Sequence, residues 1–196
     1  AFDPASFVAS GRPLTMGGFL LEVTTRYAAN EALVFDDPLR PVDDADRMGK
    51  TIRWTYADLE REAREVARAL LSSGINPGDR VATLMANRPE AVAAYFGAAL
   101  AGAVIVPLST FATKHELAAL LAAAAPAALL LQTSMGSRSF AADIAALRRE
   151  KTAAPSLTVA LGPDPEGHGI ESWESFRARA ENTDEGVVDA MVAITE

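Results

Sequence analysis

The stretch from residue 51 to residue 108 constrains the fold more than any other, because it sets two strand–helix units in succession with turn chemistry at nearly every boundary. Thr55 and Asp58 stand at capping-box spacing, where a hydroxyl and a carboxylate answer the first free amides of a helix. Behind them Leu59, Ala63, Val66, Ala67, Leu70 and Leu71 recur at helical spacing as one apolar stripe. Glu60, Arg61, Glu62, Arg64, Glu65 and Arg68 cover the other side with opposite charges three or four apart, a salt-laced face rather than a phosphate track. Gly74 is placed to end this helix in a left-handed turn. Asn76-Pro77-Gly78-Asp79 is a reverse turn, in which proline presets one dihedral and glycine accepts the positive one. A buried strand over 80–86 follows. Asn87-Arg88-Pro89-Glu90 then supplies a cap, an N-terminal proline and an early acid for a helix over 89–101. Gly102 ends it, and 104–108 is the next strand.

The flanks extend the same alternation. Residues 1–14 read as an irregular lead-in. Thr15 can cap a helix over 16–29 with Met16, Phe19, Leu20, Val23 and Tyr27 on one side, although Gly17 and Gly18 weaken its start. Residues 32–35 and 51–54 are strand-like, and the acidic, proline-containing segment between them suits an exposed loop. That pair is expected as an antiparallel edge hairpin. Downstream, Thr113 and Glu116 repeat the capping-box spacing before Leu117, Leu120 and Leu121. The apolar run 117–131 is interrupted by Pro126 and falls short of the about 20 residues a membrane-spanning helix needs. It divides into a helix and a buried strand over 127–132. Ser137 or Ser139 begins a helix to Glu150, with Arg148, Arg149 and Lys151 at its negative end. Residues 157–161 form another strand. After Gly169 the pattern weakens to a short helix over 172–180. Strand and helix alternate with short connections, so the expected fold is α/β: a mostly parallel sheet with flanking helices, one subdomain over 15–196.

Composition narrows the function classes. A chain of 196 residues buries about 70% of its unfolded surface and needs no covalent staple. Its formal charge of −8 argues against a broad nucleic-acid footprint, which needs a basic face. It has no cysteine, which removes disulfides, thiolate nucleophiles and cysteine-ligated zinc. The first residues lack a basic stretch followed by an apolar one, so no secretory signal is expected and the reading is cytoplasmic.

Ligands of an open parallel sheet gather beyond the carboxyl ends of its strands. That points to the segments after Ala86, Leu108, Gln132 and Leu161, none of which carries a complete phosphate fingerprint. Thr133-Ser134-Met135-Gly136-Ser137 comes nearest to a phosphate nest, but it lacks a lysine, and Arg138 substitutes only in part. A loop that caps the next helix explains the same residues. The stretch 162–169 holds three possible metal ligands, Asp164, Glu166 and His168, without helical spacing or a second ligand cluster, and reads as a surface loop. His115 in a first helical turn reads as solvated, and no G-x-S-x-G elbow is present. Asp36-Asp37 and Asp43-Asp44 read as solvating charges rather than a general acid–base pair. No residue is assigned a catalytic, cofactor-binding or metal-binding role.

Taken together, several of these segments resemble the N-terminal portion of the adenylate-forming (AMP-binding) enzymes, the family of acyl-CoA synthetases, aryl-CoA ligases, luciferases and peptide-synthetase adenylation domains. The matching residues are Thr55-Tyr56-Ala57-Asp58-Leu59, Ala67-Arg68-Ala69-Leu70, Gly74-Ile75-Asn76-Pro77-Gly78-Asp79-Arg80-Val81, Asn87-Arg88-Pro89-Glu90 and Leu100-Ala101-Gly102-Ala103-Val104-Ile105-Val106-Pro107-Leu108. Glu31-Ala32-Leu33-Val34 fits the family's first strand. The resemblance implies a two-step ligase: a small-molecule carboxylic acid and ATP give an acyl-adenylate and pyrophosphate with magnesium balancing charge, and a coenzyme A thiol then displaces AMP. The family's Ser/Thr/Gly-rich loop ending in Pro-Lys-Gly is absent from these residues, as are its later ribose, adenine and lysine motifs. The resemblance therefore implies a fragment that folds without making acyl-adenylate by itself. A stand-alone interaction module on the same scaffold is the alternative from another class. An unrelated small nucleotide-binding protein is the third, disfavoured by the missing glycine fingerprint.

Overall fold

Residues 15–36, 51–150, 154–163 and 165–194 are described by the computed structural model. The chain opens with α1 (Met16–Tyr27), β1 (Glu31–Asp36) and β2 (Thr51–Thr55), and the capping-box helix is α2 (Tyr56–Ser72). Both halves of the box form. Thr55 Oγ1 accepts from the Asp58 amide at 3.2 Å, and Asp58 Oδ2 accepts from the Thr55 amide at 2.9 Å. Leu59, Ala63, Val66, Ala67 and Leu70 are buried and share one core cluster with Val81 and Leu130 of the sheet. Gly74 and Gly78 take φ of 85° and 84°, the left-handed turns that their positions require.

The remaining elements are β3 (Arg80–Leu84), α3 (Pro89–Leu100), β4 (Val104–Pro107), α4 (Lys114–Ala124), β5 (Ala128–Gln132), the short strands β6 (Ser134–Met135) and β7 (Arg138–Ser139), α5 (Phe140–Arg149), β8 (Leu157–Leu161), β9 (Glu171–Ser172), α6 (Trp173–Ala178) and α7 (Glu185–Ile194). Five strands form a parallel sheet in the order β4-β3-β5-β8-β9, with Ala82 opposite Val106 on one side and Leu129 on the other. The period-two alternation of the strands sorts the core into two layers. Val81 and Leu130 join α2 and α3 on one face, while Ala82, Leu84, Leu129 and Leu131 join α4 and α5 on the other. β5 is buried at all five positions, as a strand covered on both faces must be.

The antiparallel pair is present, with Val34 opposite Arg53 and Phe35 opposite Ile52. Among the described residues β1 and β2 bond only to each other, as a sheet of their own. Their anchor is α2: the amides of Tyr56 and Ala57 donate to the carbonyls of Asn30 and Ala28 at 3.0 Å.

Three details differ from the sequence reading. α1 ends at Tyr27, and its buried side holds Gly17, Gly18, Leu20, Leu21 and Val23, while Met16 and Phe19 are exposed. The glycines turn the helix: a Cβ on Gly17 would lie 3.4 Å from the Ala99 carbonyl oxygen, so α1 packs on its bare side. Arg88 rather than Asn87 occupies the N-cap of α3, with no side-chain cap, and Pro89 in the first turn leaves one fewer amide to satisfy. α4, by contrast, stops before Pro126 as expected, with the non-glycine residue Ala125 at φ 42° as its C-cap. α7 was not foreseen at all; it is held by buried Val188 and Val192. Among the described residues no helix is long and apolar enough to cross a membrane.

Candidate functional site

The strand order makes one crevice. β3 continues into α3 on one face of the sheet, and its neighbour β5 leads to α5 on the other. Such diverging connections mark the position beyond the carboxyl ends of two strands where open α/β sheets bind ligands.

Gln132, the last residue of β5, ties its rim. The side chain is buried, with Oε1 accepting from the Ala86 amide at 2.7 Å and Nε2 donating to the Ser134 carbonyl at 2.7 Å. One amide thus fastens the exit of β3 to the exit of β5. The chain then makes the β6–β7 turn around Gly136 at φ 58° and enters α5. Of the two serines expected to start that helix, Ser139 does so: its Oγ accepts from the Ala142 amide at 3.1 Å. The Ala141 amide donates to the Thr133 carbonyl at 3.1 Å. The stretch nearest to a phosphate nest is thus the helix-capping loop that the sequence reading favoured, and the Ala141 and Ala142 amides at the helix entry are bonded.

Arg138 is engaged as well. It lies over the Phe140 ring at 4.9 Å, donates to Asp143 Oδ2 through Nη2 at 2.9 Å and reaches the Thr110 carbonyl at 3.3 Å. On the β3 side, buried Arg88 pairs with Glu90 at 2.9 Å and lies over the Phe35 ring. Lys114, the single lysine among the described residues, pairs with Glu150 at 2.8 Å on the surface. Two buried hydroxyls remain without partners among the described residues, Thr83 Oγ1 and Thr133 Oγ1. Thr133 Oγ1 occupies the space that a side chain on Gly162 would take. No three His, Cys, Asp or Glu side chains come together among the described residues. This donor set does not fit a magnesium-bound triphosphate: its guanidinium groups are paired with carboxylates, and the Ala141 and Ala142 amides at the entry of α5 are bonded within the chain.

The other candidates lie apart. His115 is exposed on α4, and His168 ends a single 3₁₀ turn after β8. Asp164 and the side chain of Glu166 fall outside the described residues. Asp36 accepts from Thr51 Oγ1 at 2.7 Å across the β1–β2 pair, and Asp37, Asp43 and Asp44 also fall outside the described residues.

A concavity of about 440 Å³ runs between α2 and the segment 177–185. Its charges are fastenings. Arg64 bridges Glu60 at 2.7 Å and Asp189 at 2.8 Å, Arg68 donates to the Thr183 carbonyl at 2.9 Å, and Arg177 clasps Glu65 and Glu62. The hydrogen bond with Glu65 raises the Arg177 pKa against the burial that lowers it. The salt-laced face of α2 read from the sequence is thus a seam that holds α6 and α7.

The exit after Gln132 and the stretch from Thr133 were candidates in the sequence, but the tie that the Gln132 side chain makes to Ala86 was missed. The available signal was a polar pair closing the apolar run Ala128-Leu129-Leu130-Leu131 at a sheet's carboxyl end.

Comparison with known proteins places this geometry. A model of the AMP-binding enzyme family matches residues 22–192. The acyl-CoA ligase sidI of Aspergillus fumigatus is 38% identical over 104 residues, which are 53% of this chain and 16% of that protein. The fatty acid–[acyl-carrier-protein] ligase ScoC of Streptomyces coeruleorubidus is 31% identical over 136 residues, 69% of this chain and 23% of that protein. The chain therefore spans less than a quarter of the length of these relatives. Among solved structures, the anthranilate CoA ligase AuaEII in complex with anthranoyl-AMP shares the fold at a TM-score of 0.68 and 23% identity, over 90% of this chain and 30% of that one. The N-terminal domain of FACL13 from Mycobacterium tuberculosis does so at 0.60 and 25% identity, over 87% and 36%. Since the family match takes in the parallel sheet, its helices and the whole crevice, the chain belongs to the AMP-binding enzymes, in the company of acyl- and aryl-CoA ligases.

Proposed function

We propose that this chain is the N-terminal scaffold of an ATP-dependent ligase that converts a fatty or aromatic carboxylic acid to an acyl-adenylate and then to a thioester, and that these 196 residues alone do not form the adenylate. The observation that carries the reading is the family match over residues 22–192, set beside a crevice whose guanidinium groups are already committed to protein partners. In this reading residues 15–196 act as one α/β subdomain. ATP, magnesium and coenzyme A belong to the complete ligase, and no residue of this chain is assigned to hold them. Relatives named for acyl-CoA and for acyl-carrier-protein products support a thiol acceptor of either kind.

The test is ATP–pyrophosphate exchange with a panel of fatty and aromatic acids. It is run on the 196-residue chain and on the full product of the gene that encodes it. The expected result is exchange by the full product with at least one acid and none by the 196-residue chain. Exchange by the shorter chain would overturn its proposed inactivity. A full product that exchanges with no acid, or one no longer than this chain, would overturn the ligase assignment.

A further inference from the structure

We draw no further inference here: the strongest candidate, the outer edge of β4 together with the exposed Phe111 and Leu120 beside its carboxyl end, is an unpartnered apolar face, and nothing in the structure shows what covers it.

Discussion

Replacing Gly97 with alanine would put a methyl group where α2 and α3 already touch. An ideal Cβ at this position lies 2.7 Å from both Cβ and Cγ1 of Val66 and 2.9 Å from the Ala63 carbonyl oxygen. Carbon contacts are comfortable at roughly 3.5–4.0 Å. Neither neighbour can yield alone. Ala63 contributes a backbone atom inside a helix, and the branched Val66 is stiff about χ1. The helices must shift as bodies, although Val66, Ala67 and Leu70 on one side and Ala93, Ala94 and Ala98 on the other are all buried. Overpacking of this kind costs about 1–3 kcal/mol, and contact with backbone puts it in the upper half of that range. Alanine recovers about 1 kcal/mol of helix propensity over glycine. The net loss is therefore about 1–2 kcal/mol, which for a domain of this size lowers Tm by roughly 2–8 °C. Urea unfolding followed by far-UV circular dichroism should show a lower midpoint with an unchanged slope. Combining Gly97→Ala with Val66→Ala should cost less than the sum of the two single changes, because the second removes the Cγ1 contact. An unchanged or raised midpoint for Gly97→Ala would refute the close approach of these helices, since only the propensity gain would remain.

Gly162→Ala should lose about 2–3 kcal/mol in the same assay, because φ is +119° there and the new Cβ overlaps Thr133 Oγ1; a loss below the error of the measurement would contradict that packing. Thr133→Val should leave stability unchanged or raise it by up to about 1 kcal/mol, since it removes a buried hydroxyl without a partner; a clear loss would reveal a bound water in that place. The hydrogen bond from Arg61, followed by those from the amide and hydroxyl of Thr55, lowers the Asp58 pKa from 3.8 to about 2. A folded pKa below the unfolded one adds stability that is complete above about pH 4 and is lost as pH falls through about 2. Asp58 remains accessible, so solvent screening limits this to about 1 kcal/mol, and its carboxyl resonance should titrate near 2; a midpoint near 4 would dismiss the effect. Arg177→Met should cost about 0.5–1 kcal/mol, shrinking at high salt, and a double-mutant cycle with Glu65→Gln should show coupling; additive losses would mean that the pair contributes nothing.

What could be read from residues alone followed the range of the interactions that decide each element. Thr55 with Asp58 and Thr113 with Glu116 set their helix starts within four residues, and both boxes form in full. The buried run ending at Gln132 was legible because Pro126 separates it from a helix and apolar residues fill every position. The face of α1 was not legible. Large apolar residues marked one side, but tertiary approach through Gly17 decided the other, and a glycine's missing volume leaves no periodic signal. α7 was lost for a related reason: Val188 and Val192 make a short stripe whose meaning depends on α2 and α3 standing beside it. At the crevice, the candidate positions were visible as strand exits. What fills them was not, because the bonds of Arg138 to Thr110 and of Gln132 to Ala86 join residues far apart in the chain.

The reversed strand order also bears on how the chain reaches this state. Ala82 finds Val106 after one helix, but its other neighbour, Leu129, arrives only after a second helix has been made. Closing the longer loop costs more entropy, so β3–α3–β4 can assemble first and β5 joins later. During synthesis, from the N-terminus onward, β3 therefore spends an interval with one side open. Within Arg80-Val81-Ala82-Thr83-Leu84 only Arg80 is charged, and a charge at the strand's first position gives little protection against pairing with another nascent chain. The speed at which α4 and β5 follow sets how long that exposure lasts, so slowed translation between residues 108 and 132 should lower the soluble yield more than an equal delay after β8.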